Sequence, residues 1–295
     1  MDKAQYAKTH LLVMVLAGSR MYGTSRTDSD YDYRGVCIPP IESMIGLDKF
    51  EQVEMDEDTV IYTTTRFFHL ALQNNPNILD ILFAPPSTWI VDSDDWHKIY
   101  EMRHKFLCRT ALHRFGGYAL SQLKRIKSHK AWLMNPIELE PQPEDYDCYL
   151  ETDDKGGQFW DGVRIDEFKG ARKAWKQYQK WKTNRNPQRA ALEAAHGHDT
   201  KHGAHLVRLL TKALAIKSTG DYTPVLNKEE LGVVKSVLNG EWEYDLLIAW
   251  AEEAYEELNS GSPENLQQRP DWDAVEKLLM EINERGLRRQ WQPSG

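Results

Sequence analysis

The chain has 295 residues, 41% of them hydrophobic and 28% charged, with a formal net charge of −8. This composition excludes fibrous, low-complexity and disordered classes, and the acidic balance excludes a protein that coats nucleic acid indiscriminately. The length exceeds what one hydrophobic core usually fills, which predicts two domains.

Cys37, Cys108 and Cys148 are odd in number, far apart and without CxxC spacing. Reduced thiols are therefore expected, not a disulfide framework or a cysteine metal site. The run "LLVMVLA" at residues 11–17 is far shorter than the roughly 20 apolar residues a membrane helix needs. Asp2 breaks the cationic start of a signal peptide. A cytoplasmic protein without membrane attachment is expected.

In chain order, residues 10–17 read as a buried strand, aliphatic without alternation and stopped by Gly18. Residues 31–38 read as a second strand closed by Pro39-Pro40, and 50–55 with 59–65 as a hairpin around acidic turn residues. Residues 66–73 are helical, "NNPN" interrupts, and 78–83 carry an apolar element up to Pro85-Pro86. The pattern then turns helical, at 96–106, 110–130, 166–182, 189–217, 228–238, 244–259 and 272–285. Residues 136–157, acidic and punctuated by proline, read as a surface segment. The prediction is an α+β protein, with a small α/β domain at 1–92 followed by a mostly helical domain at 93–295.

The segment "GSRMYGTSRTDSDYDY" (18–33) places three aspartates just beyond the first strand. In an extended chain, side chains two apart share a face, so Asp30 and Asp32 project together while Tyr31 and Tyr33 face the other way. Two carboxylates so placed repel and call for a cation. Mg²⁺ suits them, because it takes one or two carboxylates plus phosphate oxygens. Gly18 permits a tight turn, and Ser19 offers a hydroxyl and an amide N–H to an anion. The alternative is an Asp-rich turn that holds no metal.

The order apolar-Gly-Ser, a gap of about ten residues, then Asp-x-Asp resembles the signature of the DNA polymerase beta nucleotidyltransferase superfamily. "GSRMYGTSRTDSDYDYRGV", "NNPNILDILFAP" (74–85), "RFGGYALSQLKRIK" (114–127) and "KHGAHLVRLL" (201–210) are similar to one branch, the predicted nucleotidyltransferases associated with RNA repair in bacteria and phages. The resemblance implies a small polymerase-beta-like catalytic domain. It makes Gly18 and Ser19, with Arg20 and Tyr22 behind them, the loop that binds the triphosphate of an NTP such as ATP. Asp30 and Asp32 become metal ligands, and Asp58, ahead of "TVIYT", becomes the third carboxylate, with Glu54 and Asp56 as rivals. Two Mg²⁺ ions would then activate an acceptor hydroxyl and neutralise the leaving pyrophosphate. The implied acceptor is an RNA end, a tRNA or a cleaved RNA. Transfer to a protein or a small molecule, and a non-catalytic RNA-binding role, stay open.

"HGHDTKHGAH" supplies His196, His198, His202 and His205, enough to consider zinc. The family-like Lys201, His205 and Arg208 also share one helical stripe, and cations suit a triphosphate or RNA phosphate better than a metal. In "FKGARKAWKQYQKWKTNRNPQR", Trp175, Tyr178 and Trp181 recur every third residue among lysines that include Lys173 and Lys176. Aromatic faces among cations suit single-stranded nucleic acid; a core face backed by solvated lysines is the competing reading. Lys124, Arg125 and Lys127 form a second cationic strip that suits RNA or solvent equally. Asn75, Pro76 and Asp80 suit either a nucleotide pocket or helix capping and packing.

Overall fold

The aliphatic run after His10 becomes the middle of a sheet, and the rest of the first compact unit is organised around it. A computed structural model describes residues 2–291. In chain order the elements are α1 (Lys3–Thr9), β1 (Leu11–Leu16), α2 (Gly18–Tyr22), β2 (Tyr33–Cys37), α3 (Ile41–Met44), β3 (Gln52–Glu54), β4 (Thr59–Thr63), α4 (Thr64–Leu72), α5 (Pro76–Leu82), β5 (Trp89–Val91), α6 (Asp94–Glu101) and α7 (Thr110–Met134). A hairpin of β6 (Cys148–Thr152) and β7 (Gln158–Gly162) follows, then α8 (Ile165–Thr183), α9 (Pro187–His196), α10 (Thr200–Thr219), α11 (Lys228–Leu238), α12 (Tyr244–Asn259) and α13 (Trp272–Gln290). The fold is α+β, as the element pattern predicts.

The five-stranded sheet runs β3-β4-β2-β1-β5. Only β2 and β4 pair in parallel; β1 is antiparallel to both β2 and β5, and β3 to β4. Val13 and Val15 of β1 are fully buried, as are Phe67, Phe68, Trp96 and Phe106, whose rings meet edge to face in the geometry aromatic quadrupoles prefer. Helix α1 escapes the sequence reading because it is short and charged; Asp2 caps it by accepting from the Ala4 and Gln5 amides.

Two compact units divide the chain: the first holds residues up to Ser121 and from Ala204 onward, the second Gln122–Gly203. They do not follow the 92/93 boundary read from composition. The apolar faces of the C-terminal helices need a partner surface, and α13 finds one in the first unit. There the Asn283 amide oxygen accepts from Thr64 and Gln290 bonds Ile41 N and Pro39 O.

Within the second unit, the segment expected at 136–157 contains β6, paired antiparallel to β7. Asp153 closes their turn by accepting from the Lys155 and Gly157 amides. The single helix expected at 189–217 is two. Gly197 ends α9 in the left-handed region at φ +75°, and Asp199 starts α10 by accepting from Lys201 N and His202 N. No helix of the described residues is long and apolar enough to cross a membrane.

Candidate active site

Strand β1 ends at a backbone reversal that only glycine fits. Gly18 has φ +62°, and a Cβ there would stand 2.9 Å from Asp32 Cγ and still closer to Asp32 Oδ2. The missing side chain thus makes room for the Asp32 carboxylate directly against the turn. Ala17 N donates to Asp32 O at 2.8 Å, which extends the β1–β2 pairing and fixes that juxtaposition. The Ser19 hydroxyl makes no hydrogen bond among the described residues, while Ser19 O accepts from Thr24 N and Ser25 N.

Asp30 and Asp32 lie in extended chain just before β2. Tyr31 and Tyr33 stack with centroids 6.4 Å apart, as alternation requires. Across the parallel ladder Tyr33 is opposite Thr59, and Tyr33 N donates to Asp58 O at 2.9 Å. Asp32 and Asp58 each stand one residue ahead of this ladder. Burial pushes the Asp32 carboxyl above the ordinary carboxylate range; Arg34, 3.5 Å away, opposes this, and the neighbouring Asp58 and Asp30 reinforce it. Arg34 also donates to Asp58 O at 2.5 Å and to Tyr33 O. The rivals sit differently. Glu54 is on the edge strand, opposite Val60, and Asp56 accepts from Asp58 N at 3.0 Å as part of the turn.

Hard carboxylate oxygens, a cradle that a Cβ would fill and a half-buried acid raised by burial and, to a lesser degree, by like charges fit a divalent cation such as Mg²⁺. Among the described residues, no group of three or more His, Cys, Asp or Glu is gathered as a ready metal centre.

Residues 2–135 match the family model described as RlaP, RNA repair pathway DNA polymerase beta family. The matched residues take in the region that holds this site. The resemblance read from the motifs is thereby borne out over the matched residues, which include Gly18, Asp30, Asp32 and Asp58. The chain is also similar to an uncharacterized 38.9 kDa protein from the nrdC-mobD intergenic region of Enterobacteria phage T4. The two are 27% identical over 122 residues, covering 37% of this chain and 36% of that protein. The chain thus spans about a third of the length of the curated relative it matches. No solved structure matches.

Several residues expected at the nucleotide do other work. Arg20 lies with its guanidinium 3.6 Å from the Tyr31 ring centroid and donates to Asp30 O and Ser29 O. It props the aspartate loop. Tyr22 donates to Asp80 Oδ2 at 2.6 Å. Arg208, only 3% exposed, lies 3.9 Å from the Tyr22 ring centroid and 3.6 Å from Asp80; Tyr222 also donates to Asp80. Burial alone would lower the Arg208 pKa, but Tyr22 and Asp80 hold the guanidinium charged. Arg208 is therefore a buried counter-ion of Asp80, a correction to its expected contact with a triphosphate. Sequence reasoning missed this network because its parts are scattered from Tyr22 to Tyr222, with Asp80 and Tyr222 alone 142 residues apart. Its one signal was an aspartate within an otherwise apolar helix, "ILDIL".

Asn75 caps α5 by accepting from Asn77 N, with Pro76 in the first turn. His205 Nδ1 meets Arg208 at 3.4 Å. Lys201 is exposed and belongs to the second unit, so the expected stripe of Lys201, His205 and Arg208 does not form one site within either unit. The four histidines do not gather either. His202 faces Asp199 at 3.5 Å and the His129 ring at 6.0 Å, while His198 is buried with both ring nitrogens unbonded.

The expected aromatic contacts with nucleic acid are corrected as well. Tyr178 is buried and donates to Glu138 at 2.8 Å. Trp181 packs on Trp132 and His129, and the Trp175 indole N–H is buried. These rings are the inner face of α8. Lys173 and Lys176 are exposed on the helix, as are Lys124 and Arg125 on α7, and Lys127 is half-buried.

Proposed function

We propose that the chain is a nucleotidyltransferase that moves a nucleoside monophosphate from an NTP to a hydroxyl at an RNA end, such as a tRNA or a cleaved RNA. The observation that carries this reading is the Asp32 carboxylate seated against the Gly18–Ser19 turn, with Asp58 at the same end of the parallel ladder. The family match over residues 2–135 supports both the reaction class and the RNA context.

Gly18 and Ser19 present amide and hydroxyl groups to the triphosphate, and Arg20 holds the loop that carries Asp30. Asp30, Asp32 and Asp58 hold Mg²⁺, which supplies charge neutralisation at the phosphates and a lowered pKa at the attacking hydroxyl. The acceptor oxygen bonds to the α-phosphorus and the bond to the bridging oxygen breaks. Pyrophosphate leaves with that electron pair, and the acceptor proton passes to the exposed Asp58 carboxylate or to solvent.

The test is incubation of purified protein with total RNA, Mg²⁺ and each α-labelled NTP, beside Asp32→Asn and a chelator control. Label in RNA that needs both Mg²⁺ and Asp32 supports the proposal. Label in protein or in a small molecule moves the acceptor to that class, and no label under any condition overturns nucleotidyl transfer.

A further inference from the structure

Helix α8 carries two stripes. The inner one, Trp175, Tyr178 and Trp181, is spent on the core of its unit. The outer one, Lys169, Lys173, Lys176 and Lys180, follows a spacing of four, three and four, so the ammonium groups form one row over roughly 16 Å of helix. All four lysines are exposed, and none makes a hydrogen bond or ion pair among the described residues. In a chain of net charge −8, an unneutralised row of like charge is a costly arrangement that a polyanion would relieve.

The row borders a groove of about 360 Å³ whose far wall is Trp160, from β7. Trp160 is half-buried. Its ring rests edge to face on Phe168 with centroids 5.1 Å apart, which fixes its plane, and Arg172 lies 5.8 Å from its centroid. Arg172 is tied to Glu140 at 3.3 Å, so the four lysines carry the free charge. Strand β7 brings in this aromatic from a segment remote from the lysine pattern, as Trp160 is opposite Leu150 in the hairpin.

We infer that this groove binds single-stranded RNA, with the lysine row along the phosphates and Trp160 as a platform for a base. A row of cations beside one fixed aromatic face matches what single strands offer, alternating charge and flat π-surface. A duplex hides its base faces, and an acidic peptide has none to stack. The choice of RNA over other single strands rests on the proposed function; the groove itself lies wholly within Gln122–Gly203 and uses none of the carboxylates.

The experiment is fluorescence anisotropy of a labelled 12-nucleotide RNA without NTP or Mg²⁺, using the full chain, its Asp30→Asn/Asp32→Asn form, Lys173→Ala/Lys176→Ala, Trp160→Ala and Trp160→Tyr. The carboxylate variant should bind like the parent, which keeps failure of the groove separate from failure of the transfer reaction. The double lysine variant should bind about tenfold more weakly, with a log–log salt slope shallower by roughly 1.4, for two lost phosphate contacts. Trp160→Ala should weaken binding roughly tenfold and Trp160→Tyr should restore most of it. A circular-dichroism melt checks that each variant is folded, and rescue by tyrosine separates stacking from scaffolding. Equal affinity for duplex RNA or polyglutamate, or binding indifferent to Lys173 and Lys176 or to Trp160, would overturn the inference.

Discussion

Gly18→Ala is the most incisive perturbation of the site, because it has two costs that a comparison with Gly23 separates. The first is conformational. At φ +62° an L-residue costs about 1–2 kcal/mol. The second is local, since the new Cβ would lie 2.9 Å from Asp32 Cγ and the carboxylate must shift by ~1 Å to reach ordinary contact distance; a displacement of that size in a catalytic group costs on the order of a hundredfold in rate. Gly23, which closes the same α2, has φ +85°, and a Cβ there meets only Leu231 at 3.8 Å. Gly23→Ala should therefore lower the urea midpoint by an amount equivalent to about 1–2 kcal/mol and leave the initial rate of labelled-nucleotide transfer within a few-fold of the parent. Gly18→Ala should lose at least about 1 kcal/mol more stability and nearly all transfer. Adding Asp32→Ala should recover the excess stability loss but not the activity, a coupling the double-mutant cycle measures directly. If Gly18→Ala matches Gly23→Ala in both stability and rate, the close packing of Asp32 on the turn is not what positions it.

Among the three acidic candidates, Asp58→Asn should reduce transfer about a hundredfold or more, while Glu54→Gln and Asp56→Asn stay within a few-fold; initial rates at saturating NTP decide this. Asp80→Asn leaves the Arg208 charge buried without its counter-ion and should destabilise by about 3–5 kcal/mol, with Arg208→Met in the same background recovering part of it in urea titrations. Burial lowers the His202 pKa to about 4, against the pull of Asp199 and with help from Arg189, Arg125 and His129. Because the folded state then resists a proton that the unfolded chain accepts below about 6.5, stability is complete above that pH and is lost as pH falls toward 4. The loss amounts to about 2 kcal/mol at pH 5, and it should shrink in His202→Gln when urea midpoints are compared at pH 7 and pH 5.

Local signals in the sequence were read reliably where one physical cause dominates. A short aliphatic run with β-branched residues, stopped by glycine, reads as a buried strand rather than a helix, and β1 and the turn at Gly18 agree with it. Periodicity was less informative on α8. Trp175, Tyr178 and Trp181 mark a face, but spacing alone does not say whether that face meets solvent or core, and Trp132 and His129 settle it from another helix. Trp160 was passed over because its hairpin lies next to a segment rich in proline and acid, where the strand pairing is held by the Asp153 turn more than by alternation. Arg34 had no signal at all, since its value lies in a side chain that reaches from its place opposite Val60 to the Asp58 carbonyl and the Asp32 carboxylate.

Register, not composition, distinguishes Asp58 from its rivals. Glu54, Asp56 and Asp58 are equivalent as charges in "EMDED", and a turn rich in acid offers any of them. Once β2 and β4 pair in parallel with Tyr33 opposite Thr59, the residue before each strand lies at the same end of the ladder, and the Asp58 charge acts on the Asp32 carboxyl. Glu54 is one strand further out, roughly 4.8 Å more distant across the sheet, and Asp56 is committed to the turn by the Asp58 amide. Burial is the main force that raises the Asp32 carboxyl, and the neighbouring Asp58 and Asp30 add to it through like charge.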